Sequence, residues 1–300
     1  MNDYDLPLNP DKSENFPSMN PAFPYVWFEG EVDLYIGGYV LWHWHEEPEF
    51  VYVLKGEIEY YVADKMYLLK EGQAMFINSN ILHMIKNHST TTQAVIVPQI
   101  FNKLFLIGFR RSVFDTHYYH PIVACPDLYC YVFLPSDSNS AQILNLLYKA
   151  YLSAKNAESG YEIYVRNYIS EVWVLLYHAV KSKLHHESVS PDQTNDRLRL
   201  MLSYINSHYA EKISLKAIAD SASISERECI RCFKKYMNLT PFKYLLEYRI
   251  DIAANLLLNS DLSITEIALQ SGFDTSSYFS KTFKEFMQCS PKSYRNSHQR

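Results

Sequence analysis

No run of eighteen apolar residues occurs in this 300-residue chain, so it offers no candidate for a membrane-spanning helix. Also missing is the basic start followed by an apolar stretch that marks a secretory signal. The opening MNDYDLPLNPDKSENFPSMNP is instead acidic and rich in Pro and Asn, and a cytoplasmic protein without a membrane partner is expected. Cysteine is scarce and odd in number (Cys125, Cys130, Cys229, Cys232, Cys289), which suits reduced thiols better than a disulfide framework. Cys229 and Cys232 form a C-x-x-C with no second pair, and read as small apolar residues on the buried side of a helix. The chain as a whole also lacks positive charge, with a formal net charge of −5.

That deficit is unevenly distributed. Residues 1–194 carry 13 basic and 22 acidic side chains, a net −9, whereas residues 195–300 carry 15 basic and 11 acidic ones, a net +4. A basic module is therefore attached to an acidic one, a division that a polyanionic partner of the C-terminal part alone would explain. With nearly half its residues hydrophobic, the chain has enough apolar material for two cores.

From Trp27 to about Phe133 the texture is that of short antiparallel strands: runs rich in Tyr, Val, Ile and Phe broken by Gly, Asn and Pro. Turns are expected at Lys55-Gly56, Ala63-Asp64 and Glu71-Gly72, giving a compact barrel or sandwich. After Pro135, helical spacing takes over. Ile143, Leu146, Leu147, Ala150 and Tyr151 predict one buried face, and Ile163, Tyr164, Tyr168, Val172 and Leu175 a second. Those faces suit either a second subunit or the barrel itself. The expected organisation is a loosely held tail (1–20), a barrel (21–135), a helical pair with a possible dimerisation role (136–184), a polar linker (185–194) and an all-helical module (195–300).

The last hundred residues contain a degenerate duplication. TPFKY at 240–244 matches SPKSY at 290–294, an offset of 50, and Phe233-Lys234-Lys235 matches Phe283-Lys284-Glu285 at the same offset. Ile218-Ala219 matches Ile267-Ala268 at 49, so one residue is inserted in the turn of the second copy. Each copy has the parts of a helix-turn-helix: an N-capping serine (Ser214, Ser263), a short helix, a tight turn and a longer helix. Ser263 with Glu266 and Ser225 with Glu228 have capping-box spacing, and Gly272 supplies the second turn. Thr240 and Pro241 predict the start of a connecting helix with Phe242, Leu245, Leu246, Ile252, Ala253 and Leu256 facing inward. A rigid spacer between two readers would let them enter successive major grooves about 34 Å apart.

The second copy, SITEIALQSGFDTSSYFSKTFKEFMQCSPKSYR, resembles the DNA-binding domain of the AraC/XylS-type transcription regulators. It departs from their pattern where a glycine usually follows each recognition helix: Asn238 and Gln288 stand there, and Gln tolerates a left-handed cap poorly. Helical spacing turns Cys229, Cys232 and Phe233 inward in the first recognition helix, and Tyr278, Phe279 and Phe283 in the second. Arg227, Arg231, Lys234, Ser276, Ser277, Ser280, Lys281 and Lys284 remain for DNA, with Arg suited to guanine edges, Ser to either kind of base edge and Lys to phosphate. Arg249 and Arg295 match arginine positions of the family but sit where an intradomain role is expected.

In the strand region, Gly37-x5-His43-Trp44-His45-x3-Glu49-x6-Gly56 and then Gly72-x5-Asn78-x-Asn80-x2-His83-x3-Asn87 resemble the two cupin motifs, with Asn78 and Asn80 where proline and glycine are usual. His43 and His45 share a strand face, and Glu49 and His83 would join them from neighbouring strands. Three readings stay open. The cluster holds a divalent metal such as Zn, Fe, Mn or Ni; it lines a polar effector pocket with Tyr39 and Tyr52, for a sugar or an organic acid; or its histidines are structural.

The expected fold is thus multi-domain α and β: an N-terminal cupin-like antiparallel β-barrel, a helical pair, and a C-terminal all-α double helix-turn-helix. The resemblance implies a non-enzymatic, sequence-specific regulator of the activator kind, with a small-molecule effector, double-stranded operator DNA, RNA polymerase and a second copy of the chain as partners. The alternative is a metal-dependent cupin enzyme with a tethered DNA-binding module. An architectural DNA binder without effector control would leave the acidic half without a task.

Overall fold

In a computed structural model, residues 8–9, 13–35, 38–89, 91–125, 127–184, 193–237 and 239–298 are described. Ser13–Asp192 belong to one compact unit and Gln193–Arg300 to a second. The expected linker at 185–194 lies outside the described residues as far as 192, as do Gly37 and Asn238.

The first unit is built on ten antiparallel strands: β1 (Tyr25–Trp27), β2 (Gly30–Glu31), β3 (Tyr39–His43), β4 (Glu49–Lys55), β5 (Glu57–Val62), β6 (Lys65–Lys70), β7 (Ala74–Ile77), β8 (His83–Asn87), β9 (Val95–Phe101) and β10 (Cys130–Phe133). One sheet runs β1-β9-β4-β7-β10, with β2 also on β9, and the other runs β3-β8-β5-β6. The turns fall at the expected places, with φ +78° at Gly56, +53° at Ala63 and +78° at Gly72. At Gly56 the requirement is double, because a Cβ there would lie 2.6 Å from the Gln93 carbonyl oxygen.

Strand alternation gives β4 two buried faces. Val51 and Val53 point between the sheets with Ile58, Tyr60, Leu69, Met75, Ile77 and Ile85. Phe50 points the other way, into a second core with Phe76, Phe101 and Phe133. The helical pair α3 (Ser138–Asn156) and α4 (Tyr161–Val180) packs in that second core. Trp173 stands edge-on to Phe50, Phe76 and Phe101. The apolar faces of the pair are thus spent on the barrel. The face of α3 is the expected one. That of α4 is instead Val165, Ile169, Val172, Trp173, Leu176 and Val180, leaving Ile163 and Tyr164 exposed.

Two expectations need correction here. Between β9 and β10 the chain is helical rather than extended, with α1 (Lys103–Ile107), a π-turn at Asp115–Tyr119 and α2 (His120–Val123). The local cause is at Asn102, whose side chain caps α1 by accepting from the Leu104 amide. The other correction concerns the tail. Residues 13–20 are held against the barrel: Ser13 pairs with Trp44, and the Glu14 amide donates to the Trp44 carbonyl at 2.8 Å.

The second unit is all-helical: α5 (Gln193–His208), α6 (Leu215–Ser221), α7 (Glu226–Met237), α8 (Pro241–Asn259), α9 (Ile264–Gln270), α10 (Ser276–Met287) and α11 (Pro291–His298). The α6–α7 and α9–α10 pairs are the duplicated helix-turn-helices, and the second turn is one residue longer, as the offsets predict. Ser214, Thr240 and Ser263 are N-caps, and Ser263 with Glu266 completes a capping box. At α7 the Ser225 hydroxyl accepts from the Glu228 amide. The Glu228 carboxylate, however, grips Arg231 rather than closing a box. The inward face of α8 is Tyr244, Leu245, Ile250, Ala253, Ala254 and Leu257, so of the expected set Phe242 points outward and Leu246, Ile252 and Leu256 are only half-buried. Arg249 donates to the carbonyls of Tyr209 and Glu211, and Arg295 to those of Leu257 and Leu262, each clamping the connection that leads into a reader.

Candidate functional site

The reading helices of the two copies correspond residue for residue at the offset of 50, so Arg227, Arg231 and Lys234 on α7 occupy the places of Ser277, Lys281 and Lys284 on α10. All six are exposed, while Ser276 and Ser280 are half-buried at the flank. Behind them, Cys229, Cys232 and Phe233 on α7 and Phe279, Thr282 and Phe283 on α10 fill the cores. Burial pushes the Cys229 and Cys232 thiols up, to about 12 and about 11, as befits packing groups. Tyr278 departs from expectation: it is 52% exposed, on the outward side of α10 beside Ser277 and Lys281. Its aromatic character suggested the core, but Phe273 and Phe279 fill that place and Tyr278 meets Phe273 only at its edge. Arg231 is held by Glu228 through two hydrogen bonds of 2.6 and 2.8 Å.

In the barrel, His43, His45, Glu49 and His83 come together, all buried. One ligand atom from each histidine lies within 4.8 Å of the others. The Nδ1 of His43 faces the Leu41 carbonyl at 2.7 Å, that of His45 the Glu47 carbonyl at 2.7 Å, and that of His83 the Ile81 carbonyl at 2.8 Å. A carbonyl only accepts, so each Nδ1 carries a proton, and in the neutral ring the Nε2 lone pair is presented to the cluster. Glu49 Oε2 lies 3.4 Å from the Nε2 of both His45 and His83. That is ion-pair range, yet neither Nε2 has a hydrogen-bond partner. Tyr60 supports the group by stacking on His83 and placing its hydroxyl 3.5 Å from Glu49 Oε2.

Burial drives the charge distribution. It would raise the Glu49 carboxyl, but interaction with His45 and His83 holds it well below the usual carboxylate range. Burial lowers His43 well below an ordinary imidazole, helped by the neighbouring His83 and His45. Burial also opposes charge on His45, but Glu49 outweighs it and raises that imidazole. Three convergent imidazole nitrogens, two of them buried without partners, beside a carboxylate held ionised form a donor set that fits a divalent first-row metal. The adjoining internal cavity, lined by Glu14, Tyr35, Val40, His43, Glu49 and apolar residues of β8 and β9, measures about 20 Å³, room for one water-sized occupant.

The structure separates Tyr52 from this group. Tyr52 lies on the opposite face of β4, packed against the helical-pair core with its ring 5.8 Å from Tyr148, because alternation from Glu49 sends it outward. Tyr39 is not among the residues lining the cavity. Sequence reading missed Glu14, whose Oε2 is 3.5 Å from His43 Nε2 and whose side chain is 6% exposed. Burial is the main cause that pushes its carboxyl up to about 8. A carboxylate 23 residues ahead of Gly37, where the first motif begins, in a Pro- and Asn-rich tail, gives no periodic signal.

Among known families, a model described as a helix-turn-helix domain matches residues 218–297, and one described as a cupin domain matches residues 30–98. The uncharacterized HTH-type transcriptional regulator YdeC of Bacillus subtilis (strain 168) is 30% identical over 273 residues, covering 91% of this chain and 91% of that protein. The HTH-type transcriptional activator RhaS of Escherichia coli is 36% identical over 104 residues, 35% of this chain and 37% of that one. Among solved structures, ToxT from Vibrio cholerae O395 aligns over 91% of this chain and 97% of its own, at 12% identity and a TM-score of 0.44. No helix among the described residues is long and apolar enough to cross a membrane.

Proposed function

The chain belongs to the AraC/XylS-type family of DNA-binding transcription regulators, and from that premise we propose that it reads a two-part operator with α7 and α10 under the control of a divalent cation held in its barrel. The observation that carries the effector assignment is the convergence of three imidazoles, each set by an Nδ1-to-carbonyl bond, with one ligand atom from each within 4.8 Å of the others. Tyr52, the aromatic expected to stack on a sugar, faces the helices instead.

His43, His45, Glu49 and His83 would hold the cation, which supplies positive charge and Lewis acidity at the centre of the barrel. The surrounding residues do the rest: backbone carbonyls orient the imidazoles, Tyr60 steadies Glu49 and His83, and the apolar residues of both sheets exclude water. Regulation without turnover is the reading favoured over a cupin enzyme, since the relative that spans the chain is named as a transcriptional regulator.

At the other end, Arg227, Arg231, Ser277 and Lys281 make the base contacts, Lys234 and Lys284 neutralise phosphate, and Ser276 and Ser280 contribute from the flank. RNA polymerase and a second copy of the chain are the remaining partners, in keeping with an activator such as the relative RhaS is named to be. A homodimer would use outward residues such as Ile163 and Tyr164, because the inward faces of α3 and α4 are covered.

The experiment is selection of bound sequences from a random duplex pool by the full-length protein, stripped of metal or loaded with Mn, Co or Zn, at fixed salt. Enrichment of a site with two parts about one helical turn apart is expected, relaxed at one half by Arg231→Ala and at the other by Lys281→Ala. An enriched site identical in sequence and affinity with and without every metal would remove the cation from the scheme.

A further inference from the structure

The four donors named above leave one imidazole unattended. Glu49 reaches His45 and His83, while His43 meets a different carboxylate, Glu14, at 3.5 Å from Nε2 to Oε2. Glu14 is not there by loose association. Its amide donates to the Trp44 carbonyl, Ser13 pairs alongside Trp44, and Phe16 sets its ring edge against His45 with centroids 5.3 Å apart. Three consecutive anchors thus tie the segment to the His43-Trp44-His45 stretch of the barrel. The Glu14 side chain lines both the internal cavity and an outer pocket formed with Phe16, Met19, Trp44 and His45, so it stands between the cluster and the barrel mouth.

Burial drives a carboxyl in such a place towards its neutral form unless a positive charge answers it, and among the described residues no lysine or arginine lines either space. Resting on the reading that the cluster holds a divalent cation, we propose that Glu14 is a fifth protein donor to that cation. The site then offers three nitrogens and two carboxylates, a set for Mn, Fe, Co, Ni or Zn in which the protein itself supplies what an enzyme would leave open for substrate.

The test uses the full-length protein freed of metal and titrated with Co(II), read by its visible absorption and by competition with a chromophoric chelator. Wild type is expected to bind one Co(II) per chain. Glu14→Gln, an isosteric change that keeps the side chain's size and removes the carboxylate donor, is expected to leave the metal-free fold intact by thermal melting, to weaken binding about tenfold or more and to alter the visible bands. A second measurement needs no variant: Co(II) should slow proteolytic cleavage of the wild-type chain within residues 13–20. Co(II) binding with the same affinity and spectrum in Glu14→Gln, and no protection of the segment, would overturn the role of Glu14 while leaving the four-donor site standing. Failure of wild type to bind Co(II) at all would overturn both.

Discussion

At Gln288 the backbone takes φ +56° and ψ +9°, a left-handed conformation that costs any residue with a Cβ. The side chain offsets part of that cost by donating from Nε2 to the Glu285 carbonyl at 2.9 Å. Gln288→Gly should stabilise the second unit by about 0.5 to 1 kcal/mol, the difference between relieved strain and a lost exposed hydrogen bond. A melting temperature at or below that of the wild type would mean that the hydrogen bond outweighs the strain. Glu247 presents the opposite problem, a side chain whose charge the fold resists. Burial, with the Asp251 charge adding to it, pushes its carboxyl up to about 7. Because the folded value lies above the ordinary one, the favourable contribution of the protonated acid is fully present below about pH 4.5 and lost as pH rises through about 7. Glu247→Gln should therefore match wild type near pH 4.5 and exceed it at pH 8, by about 1 to 2 kcal/mol after allowance for residual solvent contact. Denaturant melts at the two pH values decide this, and an equal effect at both would assign it to packing.

Along α7, the bidentate pair of Arg231 with Glu228 is intrahelical and solvent-exposed, so it stabilises little and exchanges readily. Its consequence lies in binding: Glu228 competes with DNA for Arg231 and repels phosphate. Glu228→Ala should raise affinity for the selected site several-fold at low salt, with the gain shrinking as ionic strength rises. Gel-shift titrations at two salt concentrations would show it, and weaker binding at both would mean that Glu228 orients Arg231 for its base. Legibility in the sequence follows the same element scale. Strand turns, the duplication and its inserted residue, and the caps at Ser214, Thr240 and Ser263 were readable because each rests on local chemistry. The inward faces of α4 and α8 are not legible where aromatic and aliphatic residues surround the whole helix, so that spacing alone does not choose among Ile163, Val165 and Tyr168, or between Phe242 and Tyr244. The cluster of His43, His45, Glu49 and His83 followed from motif spacing. Glu14 reaches the same place through tertiary contacts that no spacing encodes, and Tyr52 leaves it because strand alternation from Glu49 puts it on the opposite face of β4.

At the scale of the whole chain, an acidic half and a basic half meet a polyanion, and only the basic half gains from it. If the cation in the barrel alters how tightly the readers hold DNA, the coupling is a free energy shared by both sites and must act in both directions. Whatever factor Co(II) contributes to operator affinity, the operator must contribute to Co(II) affinity. A coupling of 1 to 3 kcal/mol, the usual range, corresponds to about 5- to 150-fold. Measuring operator binding with and without saturating Co(II), and Co(II) binding with and without saturating operator, gives the factor twice from independent data. Equal factors well above one, or equally well below it, are expected. The sign separates a metal that recruits the protein to DNA from one that releases it. Factors of one in both directions, with each ligand still binding, would make barrel and readers thermodynamically independent and leave the cation a structural part of the barrel.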